Sequence, residues 1–303
     1  MKILIIGADG QVGSEIRSQP SLQMSLAGQQ LALTFSSRSD LDLRDLSAIS
    51  EYLDRLAPNI IINASAYTAV DEAETNKHLA FLINEAAVKE MALFCKRSSC
   101  CLIHLSTDYV FDGLSDRPYL ESDTVAPSTV YGSSKLAGEQ AIREVLDQHI
   151  ILRTSWVFGV NGGNFVKTML RLVGGKGELG IVADQYGAPT SARAIAAMVA
   201  EIVSQVASIT SSDYRWGTYH YSGMPYVSWA DFAHEIFEQA AGIGLIDKKP
   251  KVNPILTSEY PTLANRPANS RLDCSKLKRV FDIKPDDWKH SLSLMLDELM
   301  DGM

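Results

Sequence analysis

The chain opens Met1-Lys2-Ile3-Leu4-Ile5-Ile6-Gly7-Ala8-Asp9-Gly10-Gln11-Val12-Gly13, and the reading of this stretch decides the fold class. Lys2 to Ile6 is an apolar run that stops at glycine, as a strand buried on both faces does. Glycines at 7, 10 and 13 permit a tight turn and let the backbone approach a pyrophosphate. A helix beginning near Val12 then offers free N–H groups and partial positive charge. The spacing is G-x-x-G-x-x-G rather than G-x-G-x-x-G, and a plain strand-to-helix turn would rarely need three glycines. Gly7, Gly10, Gln11, Val12 and Gly13 are therefore candidate cofactor-binding residues.

Working outward, the spacing predicts a second strand over Leu31–Phe35. Leu46, Ile49, Leu53 and Leu56 give a helical period over Asp45–Ala57, closed by Pro58, before a strand at Ile60-Ile61-Ile62. A long amphipathic helix is expected from Asn76 to Arg97, a strand from Leu102 to Leu105, a helix from about Val130 to Leu146, and a strand beginning at Ile150–Leu152. Strand–helix alternation at this spacing argues for an α/β protein with a Rossmann-type, doubly wound parallel sheet. After about residue 156 the texture loosens. Gly and Asn cluster between Gly159 and Asn164, and prolines become frequent between Pro225 and Pro285. Residues 1–156 are expected to form the nucleotide-binding domain, with parts of 177–230 returning to it. Residues 157–303 are expected to form mainly a smaller, irregular substrate-binding lobe. Ser204–Asp213 reads as a helix end running into an exposed loop.

Composition excludes several classes. The 303 residues are 46% hydrophobic and 21% charged, which rules out a disordered or collagen-like chain. No apolar run approaches the ~18–20 residues of a membrane span, and the opening apolar run is too short for a signal peptide. A net charge of -8, from 36 acids against 28 bases, argues against nucleic acid as a partner. Cys95, Cys100, Cys101 and Cys274 contain no Cys-x-x-Cys pair, so reduced thiols in a cytoplasm are expected. The six histidines lack metal spacing and read as structural.

The second strand should end at the adenosine ribose, where an acid would bind both hydroxyls. Here the stretch is Thr34-Phe35-Ser36-Ser37-Arg38. Two hydroxyls and a guanidinium suit a 2′-phosphate, which favours NADPH over NADH, although Asp40 leaves NADH open. Tyr131 and Lys135 stand one helical turn apart. An ammonium beside a phenol favours the phenolate, and a phenol so tuned exchanges protons with a substrate oxygen. Leu102 to Asp108 reads as a strand ending in hydroxyls, so Thr107 lies at the carboxyl end of a strand, where open α/β sheets bind ligands.

At this point the chain resembles the extended short-chain dehydrogenase/reductase superfamily and, within it, the dTDP-4-dehydrorhamnose reductase family. The motifs are the Gly7–Gly13 turn, Asn63-Ala64-Ser65-Ala66-Tyr67-Thr68-Ala69-Val70-Asp71, Ser106-Thr107-Asp108-Tyr109-Val110-Phe111-Asp112-Gly113, Val130-Tyr131-Gly132 with Lys135-Leu136-Ala137-Gly138-Glu139, Arg153-Thr154-Ser155-Trp156, Asp184-Gln185-Tyr186-Gly187-Ala188-Pro189-Thr190, and Arg266-Pro267 with Asn269-Ser270-Arg271-Leu272. They run from residue 7 to residue 272.

The resemblance implies NAD(P)H-dependent reduction of the C4 ketone of a dTDP-linked 6-deoxy-hexulose, usually giving dTDP-L-rhamnose for cell-surface polysaccharide. By match, Tyr131 is the proton donor, Lys135 holds the nicotinamide ribose and Thr107 orients the carbonyl. Asp42 and Leu43 match an adenine contact. Ala66, Tyr67 and Thr68 line the cofactor channel, with Tyr67 where the family commonly has histidine, and Leu105 belongs to the same cofactor-binding set. Asp108, Trp156, Asn164 and Arg266 match sugar-nucleotide contacts, and Arg266 and Arg271 make chemical sense beside a diphosphate. Some members bind Mg²⁺ between subunits through glutamates. Glu15 matches one of these, but Arg193 replaces the other, so no Mg²⁺ is expected, and the assembly is a monomer or a homodimer.

Two other readings stay open. The product could be another dTDP-6-deoxy sugar, such as the talose epimer. Alternatively the chain could be a non-catalytic subunit like the regulatory subunit of methionine adenosyltransferase, which shares this fold. Asn84 reads either as helix-surface polarity or as an asparagine bridged by water to the lysine. Trp216, Trp229 and Trp288 read as core or lobe contacts rather than ligand platforms.

Overall fold

The computed structural model describes residues 1–19, 31–175, 177–207 and 215–302. The chain begins with β1 (Lys2–Ile6), α1 (Gln11–Arg17), β2 (Ala32–Ser36), α2 (Leu46–Leu56) and β3 (Ile60–Asn63). It continues through α3 (Val70–Ala73), α4 (Lys77–Phe81), a π-helical turn (Leu82–Ala86), α5 (Ala87–Ser98) and β4 (Cys101–Thr107). Then come α6 (Val130–Val145), β5 (His149–Thr154), β6 (Val157–Phe158), α7 (Phe165–Leu172), β7 (Glu178–Val182), β8 (Tyr186–Gly187) and β9 (Thr190–Ser191). The chain ends with α8 (Ala192–Val206), β10 (Gly217–His220), β11 (Val227–Ser228), α9 (Trp229–Gly242), β12 (Lys251–Ile255), α10 (Ser275–Phe281) and α11 (Trp288–Asp301). The expected loop at Ser204–Asp213 falls, from 208 on, outside the described residues.

Six strands form one sheet in the order β10-β5-β4-β3-β1-β2, and every pairing in it is parallel. Alternation of side chains sends Ile3 and Ile5 to one face with Ile60, Ile62, Ile103, Ile150 and Leu152. Leu4 and Ile6 go to the other face with Ile61, Leu102 and Ile151. Both faces are covered: α1, α8 and α10 supply Ile16, Ile195, Val199, Val203 and Phe281 on the first, and α2, α5 and α6 supply Ile49, Leu53, Met91, Phe94 and Ile142 on the second. This explains why the strands read as continuous apolar runs. Each fully buried Ile or Leu contributes roughly 1.5–3 kcal/mol. The order reverses at β1, which lies between β2 and β3, so a crevice opens beyond the carboxyl ends of β1 and β3.

A second apolar cluster joins α7, α9 and α11 to β7 through Phe158, Val166, Met169, Leu179, Ile181, Phe232, Phe237, Trp288 and Leu292. It is more regular than the sequence texture suggested. Helices α9 and α11 have 14 residues each, because apolar residues recur at helical spacing between the prolines.

The helix expected from Asn76 to Arg97 is interrupted. At Leu82–Ala86 it widens to a π turn centred on Asn84. Asn84 is 1% exposed, which overturns its reading as surface polarity. Its amide oxygen accepts from Tyr67 N at 2.8 Å, and its nitrogen donates to Tyr67 O at 3.1 Å and to Ser134 Oγ at 2.9 Å. These bonds anchor the helix to the segment after β3, and π turns of this kind often mark functional sites.

One ion pair crosses the buried side of α6. Glu139 is fully buried; it accepts from Arg153 Nε at 2.9 Å, Arg153 Nη2 at 2.6 Å, Ser106 Oγ at 2.6 Å and Arg143 Nη1 at 3.0 Å. Burial pushes its carboxyl up, but the Arg153 and Ser106 bonds outweigh that and hold it below the ordinary glutamate value. Its contribution is therefore present above that value and is lost as pH falls through the lowered one. Glu139→Gln leaves a buried guanidinium without its counter-charge and should destabilise the fold by about 3–5 kcal/mol in urea denaturation at neutral pH. A loss under 1 kcal/mol would show that Arg153 finds solvent instead.

Candidate active site

The glycine turn lies at the switch point of the sheet. Gly7 has φ +84°, and a Cβ there would sit 2.7 Å from Ser65 N. A Cβ on Gly13 would sit 2.1 Å from Gly7 O, so α1 approaches β1 at a distance only glycine permits. Gly7 N and Ala8 N both donate to Ser36 O, at 3.0 and 3.1 Å, which pins the turn to the end of β2. Gly10 caps α1 with no side-chain bond. Val12 is buried beneath the turn, and Gln11 Oε1 accepts from Asn164 Nδ2 at 3.0 Å.

At the end of β2 the expected trio divides. Ser36 is fully buried and its hydroxyl bonds that of Tyr52, an inward-pointing strand position. Ser37 Oγ bonds Asp40 Oδ2 at 2.7 Å and Ser39 Oγ at 2.7 Å. Arg38 projects outward, its side chain 73% exposed and 4.0 Å from Asp42. Asp42 is clamped by Arg44, whose bonds hold its carboxyl down at about 2. Leu43 is buried in the core beside Leu41.

Beyond β3 and β4 the chemistry concentrates. Ala66 and Tyr67 are half-buried and Thr68 is exposed along the wall formed after β3. Thr107 ends β4; its Oγ1 accepts from Tyr109 N at 3.2 Å and donates to Asp108 Oδ1 at 3.0 Å. Thr107 also acts on the Tyr131 phenol, drawing its titration downward. Tyr131 packs edge-on against Tyr109, centroids 5.5 Å apart. Asp108 is buried, and burial raises its carboxyl to about 6 against the opposing bonds of Ser270 and Thr107.

The expected effect of Lys135 on Tyr131 is not what the chain's own groups produce. Burial pushes the phenol well above the ordinary tyrosine range, the Thr107 bond opposes that, and neighbouring Asp108 adds to it. Lys135 is buried and turns to β4, with Nζ 2.7 Å from Leu105 O and 3.2 Å from His104 Nε2. Burial lowers its ammonium to about 8. Two residues one turn apart share a helix face, but polar partners on the facing strand decide where the longer side chain points.

A cavity of about 520 Å³ opens beside these residues, within the range of small-molecule sites. Tyr109, Trp156, Gln185, Trp229, Arg266 and Ser270 are among its lining residues. Trp156, with φ +49°, stacks on Trp229 at 3.5 Å and 13°. A Cβ on Gly187 would sit 2.5 Å from the Trp156 ring, so that glycine makes room for the indole. Trp229 is thus a cavity wall rather than only a core contact, whereas Trp288 is core. Arg266 bonds Asp71 at 2.7 Å and approaches Tyr109 OH at 3.4 Å.

Two expected contacts are engaged elsewhere. Asn164 caps α7, accepting from Lys167 N at 3.1 Å, and donates to Gly159 O at 2.7 Å. Arg271 bonds Asn269 Oδ1 and the Asp116 carbonyl, each at 2.7 Å. The sequence reading of Trp229 as a core or lobe contact missed its place in the cavity wall.

The residues at the matched metal position do not fit a divalent cation. Arg193 Nε lies 3.5 Å from Glu15 Oε2, and Arg193 also pairs with Glu298. A guanidinium has no lone pair to offer a metal, and here it supplies the positive charge between two carboxylates.

The full length of the chain has known relatives. Residues 1–301 match the family described as the RmlD substrate binding domain. A dTDP-4-dehydrorhamnose reductase of Aggregatibacter actinomycetemcomitans is 43% identical, over 96% of this chain and 97% of its own. The solved structure of a dTDP-4-dehydrorhamnose reductase from Clostridium acetobutylicum superposes with a TM-score of 0.88 at 37% identity, covering 99% of this chain and all of that one. Another, from Bacillus anthracis in complex with NADP, gives 0.86 at 33% identity, over 98% of this chain and 99% of its own. The chain belongs to the RmlD family, that of the dTDP-4-dehydrorhamnose reductases.

Proposed function

We propose that the chain reduces the C4 ketone of dTDP-4-dehydro-6-deoxy-L-mannose to dTDP-L-rhamnose, using NADPH, in the reducing environment of the cytoplasm. The observation that carries this is the placement of Thr107 at the end of β4 and of Tyr131 and Lys135 on α6, with Tyr131 packed on Tyr109, a wall of the cavity, in a chain so similar throughout to dTDP-4-dehydrorhamnose reductases. NADP bound to the Bacillus anthracis relative supports the cofactor, and four free, buried cysteines support a reducing compartment. The Arg193 pairing with Glu15 and Glu298 supports activity without Mg²⁺.

The residues divide the work by position. Gly7, Gly10, Gln11, Val12 and Gly13 form the turn that receives the cofactor pyrophosphate, where side chains on Gly7 and Gly13 would collide with backbone. Ser37 and Arg38 take the 2′-phosphate, Asp42 and Leu43 flank the adenine, and Ala66, Tyr67, Thr68 and Leu105 line the channel. Lys135 serves the nicotinamide ribose. Bound NADPH supplies the hydride that C4 receives. Thr107 holds the ketone oxygen, and Tyr131 gives it the proton. A phenol kept protonated by burial is suited to act as the acid of a reduction. Arg266 and Trp156 hold the sugar nucleotide on the far side of the cavity, with Asp108 behind Thr107.

Tyr131→Phe should lower kcat by about 10²–10⁴-fold, or roughly 3–5 kcal/mol of barrier, while NADPH affinity changes little. The assay is NADPH oxidation with the dTDP-4-keto sugar and NMR identification of the product. Near wild-type turnover would return the chain to the non-catalytic reading. A separate test concerns cofactor choice: wild type should prefer NADPH, and Arg38→Asp should reverse the ratio of kcat/KM values for NADPH and NADH. Preference for NADH in the wild type would detach Arg38 from the 2′-phosphate.

A further inference from the structure

Behind the proposed site lies a chain of side chains, Ser65, Asn63, His104 and Lys135, of which the reaction as described uses only Lys135, at the ribose. Their hydrogen bonds can be oriented one by one. Asn63 Oδ1 accepts from Ser65 N at 3.1 Å and from Ser65 Oγ at 2.5 Å. A backbone N–H can only donate, so this oxygen cannot be exchanged with the amide nitrogen. Asn63 Nδ2 therefore faces His104 Nδ1, at 3.0 Å, and donates to it. His104 is fully buried, and burial together with the nearby Lys135 keeps it neutral. Its one ring proton must then sit on Nε2, which faces Lys135 Nζ at 3.2 Å.

An ammonium has three donors and no acceptor. Placed against Nε2–H it would set donor against donor. A neutral amine satisfies both contacts: its lone pair accepts from His104 Nε2–H, and an N–H donates to Leu105 O at 2.7 Å. We propose that Asn63 and His104 form a berth that holds Lys135 as the neutral amine, and that Nζ takes a proton from solvent when Lys135 leaves the berth for the cofactor ribose. The proposal rests on the reading that this site binds NADP(H), and it makes His104 and Asn63 positioning residues.

One charged neighbour opposes it: Glu139, one turn further along α6, raises the titration of Lys135, but less than burial lowers it, and its oxygens are engaged by Ser106, Arg153 and Arg143. Tyr131, one turn back, is a protonated phenol. Asp108, after β4, acts on Tyr131 and Tyr109. From the π turn the uncharged Asn84 meets α6 through Ser134. Burial, the largest influence on Lys135, brings its titration to about 8.

The test is calorimetry of NADP⁺ binding in buffers of different ionisation enthalpy. At pH 8.5, where Asp108 and the cofactor phosphates are already ionised, wild type should take up about half a proton or more per NADP⁺ bound, and the uptake should fade toward pH 6.5. Asn63→Asp places an acceptor against Nδ1 and draws the ring proton there, so Nε2 becomes an acceptor for the ammonium and the uptake at pH 8.5 disappears. His104→Gln should do the same. Nitrogen NMR of the imidazole should show the Nε2–H tautomer in wild type and Nδ1–H in Asn63→Asp, so the wild-type spectrum alone tests the berth should either variant fail to fold. Binding without uptake in wild type, an Nδ1–H tautomer in wild type, or unchanged uptake in a folded Asn63→Asp would overturn the berth. Failure to bind NADP⁺ at all would remove the cofactor reading and the berth with it.

Discussion

A parallel sheet buried on both faces admits almost no polar chemistry along its strands. Its interior must be apolar on either side, so hydroxyls, amides and charges are confined to the strand ends and to the helices just beyond them. Here β1, β3 and β4 run through isoleucine and leucine and then release Gly7, Asn63 and Thr107 at one edge. The glycine turn, the anchoring of Asn84 to Tyr67 and the cavity all follow from that edge. The exceptions to apolarity within the sheet are equally constrained. His104 and Arg153 lie on β4 and β5 and are fully buried, and each has an ionisable partner on α6, Lys135 and Glu139 respectively. One helix thus supplies a polar partner to each of two strands.

The parts of the fold legible in the sequence were those whose signal is local. Lys2–Ile6, the glycines after it and the Leu46–Leu56 period each carry their own pattern, and the strands and helices of the first half lie within one or two residues of where that pattern places them. The π turn was not legible. Its cause is the pull of Tyr67 and Ser134 on Asn84 across the fold, and helical periodicity runs through it unbroken. The regular helices of the second half were underread for the opposite reason: prolines between elements drew attention from the apolar spacing within them.

The site was legible as a set of residues more than as a set of contacts. Thr107, Tyr131 and Lys135 could be named because strand-end hydroxyl and helical i, i+4 spacing are sequence patterns. Ser36 could not be separated from Ser37, because which of two adjacent serines points inward depends on the register of β2 against β1. Asn164 and Arg271 carry the right chemistry for a ligand, yet they satisfy a helix start and a loop carbonyl. Trp229 joins the cavity only because the positive φ of Trp156 turns one indole onto the other.

The direction of Lys135 has the deepest consequence. A lysine reaching its own helix neighbour would make Tyr131 more acidic by charge alone. Instead burial acts on both groups, and it acts oppositely on their titrations: it raises the phenol and lowers the ammonium. Both movements favour the uncharged form. Desolvation therefore keeps the acid protonated and weakens the hold of Lys135 on its proton, while His104 and Leu105 O keep Nζ turned to the strand. In such a site, charge is not stored beside the tyrosine in advance. On the proposed reading it is assembled when the lysine turns from strand to ribose, which couples the readiness of the phenol to the arrival of the cofactor.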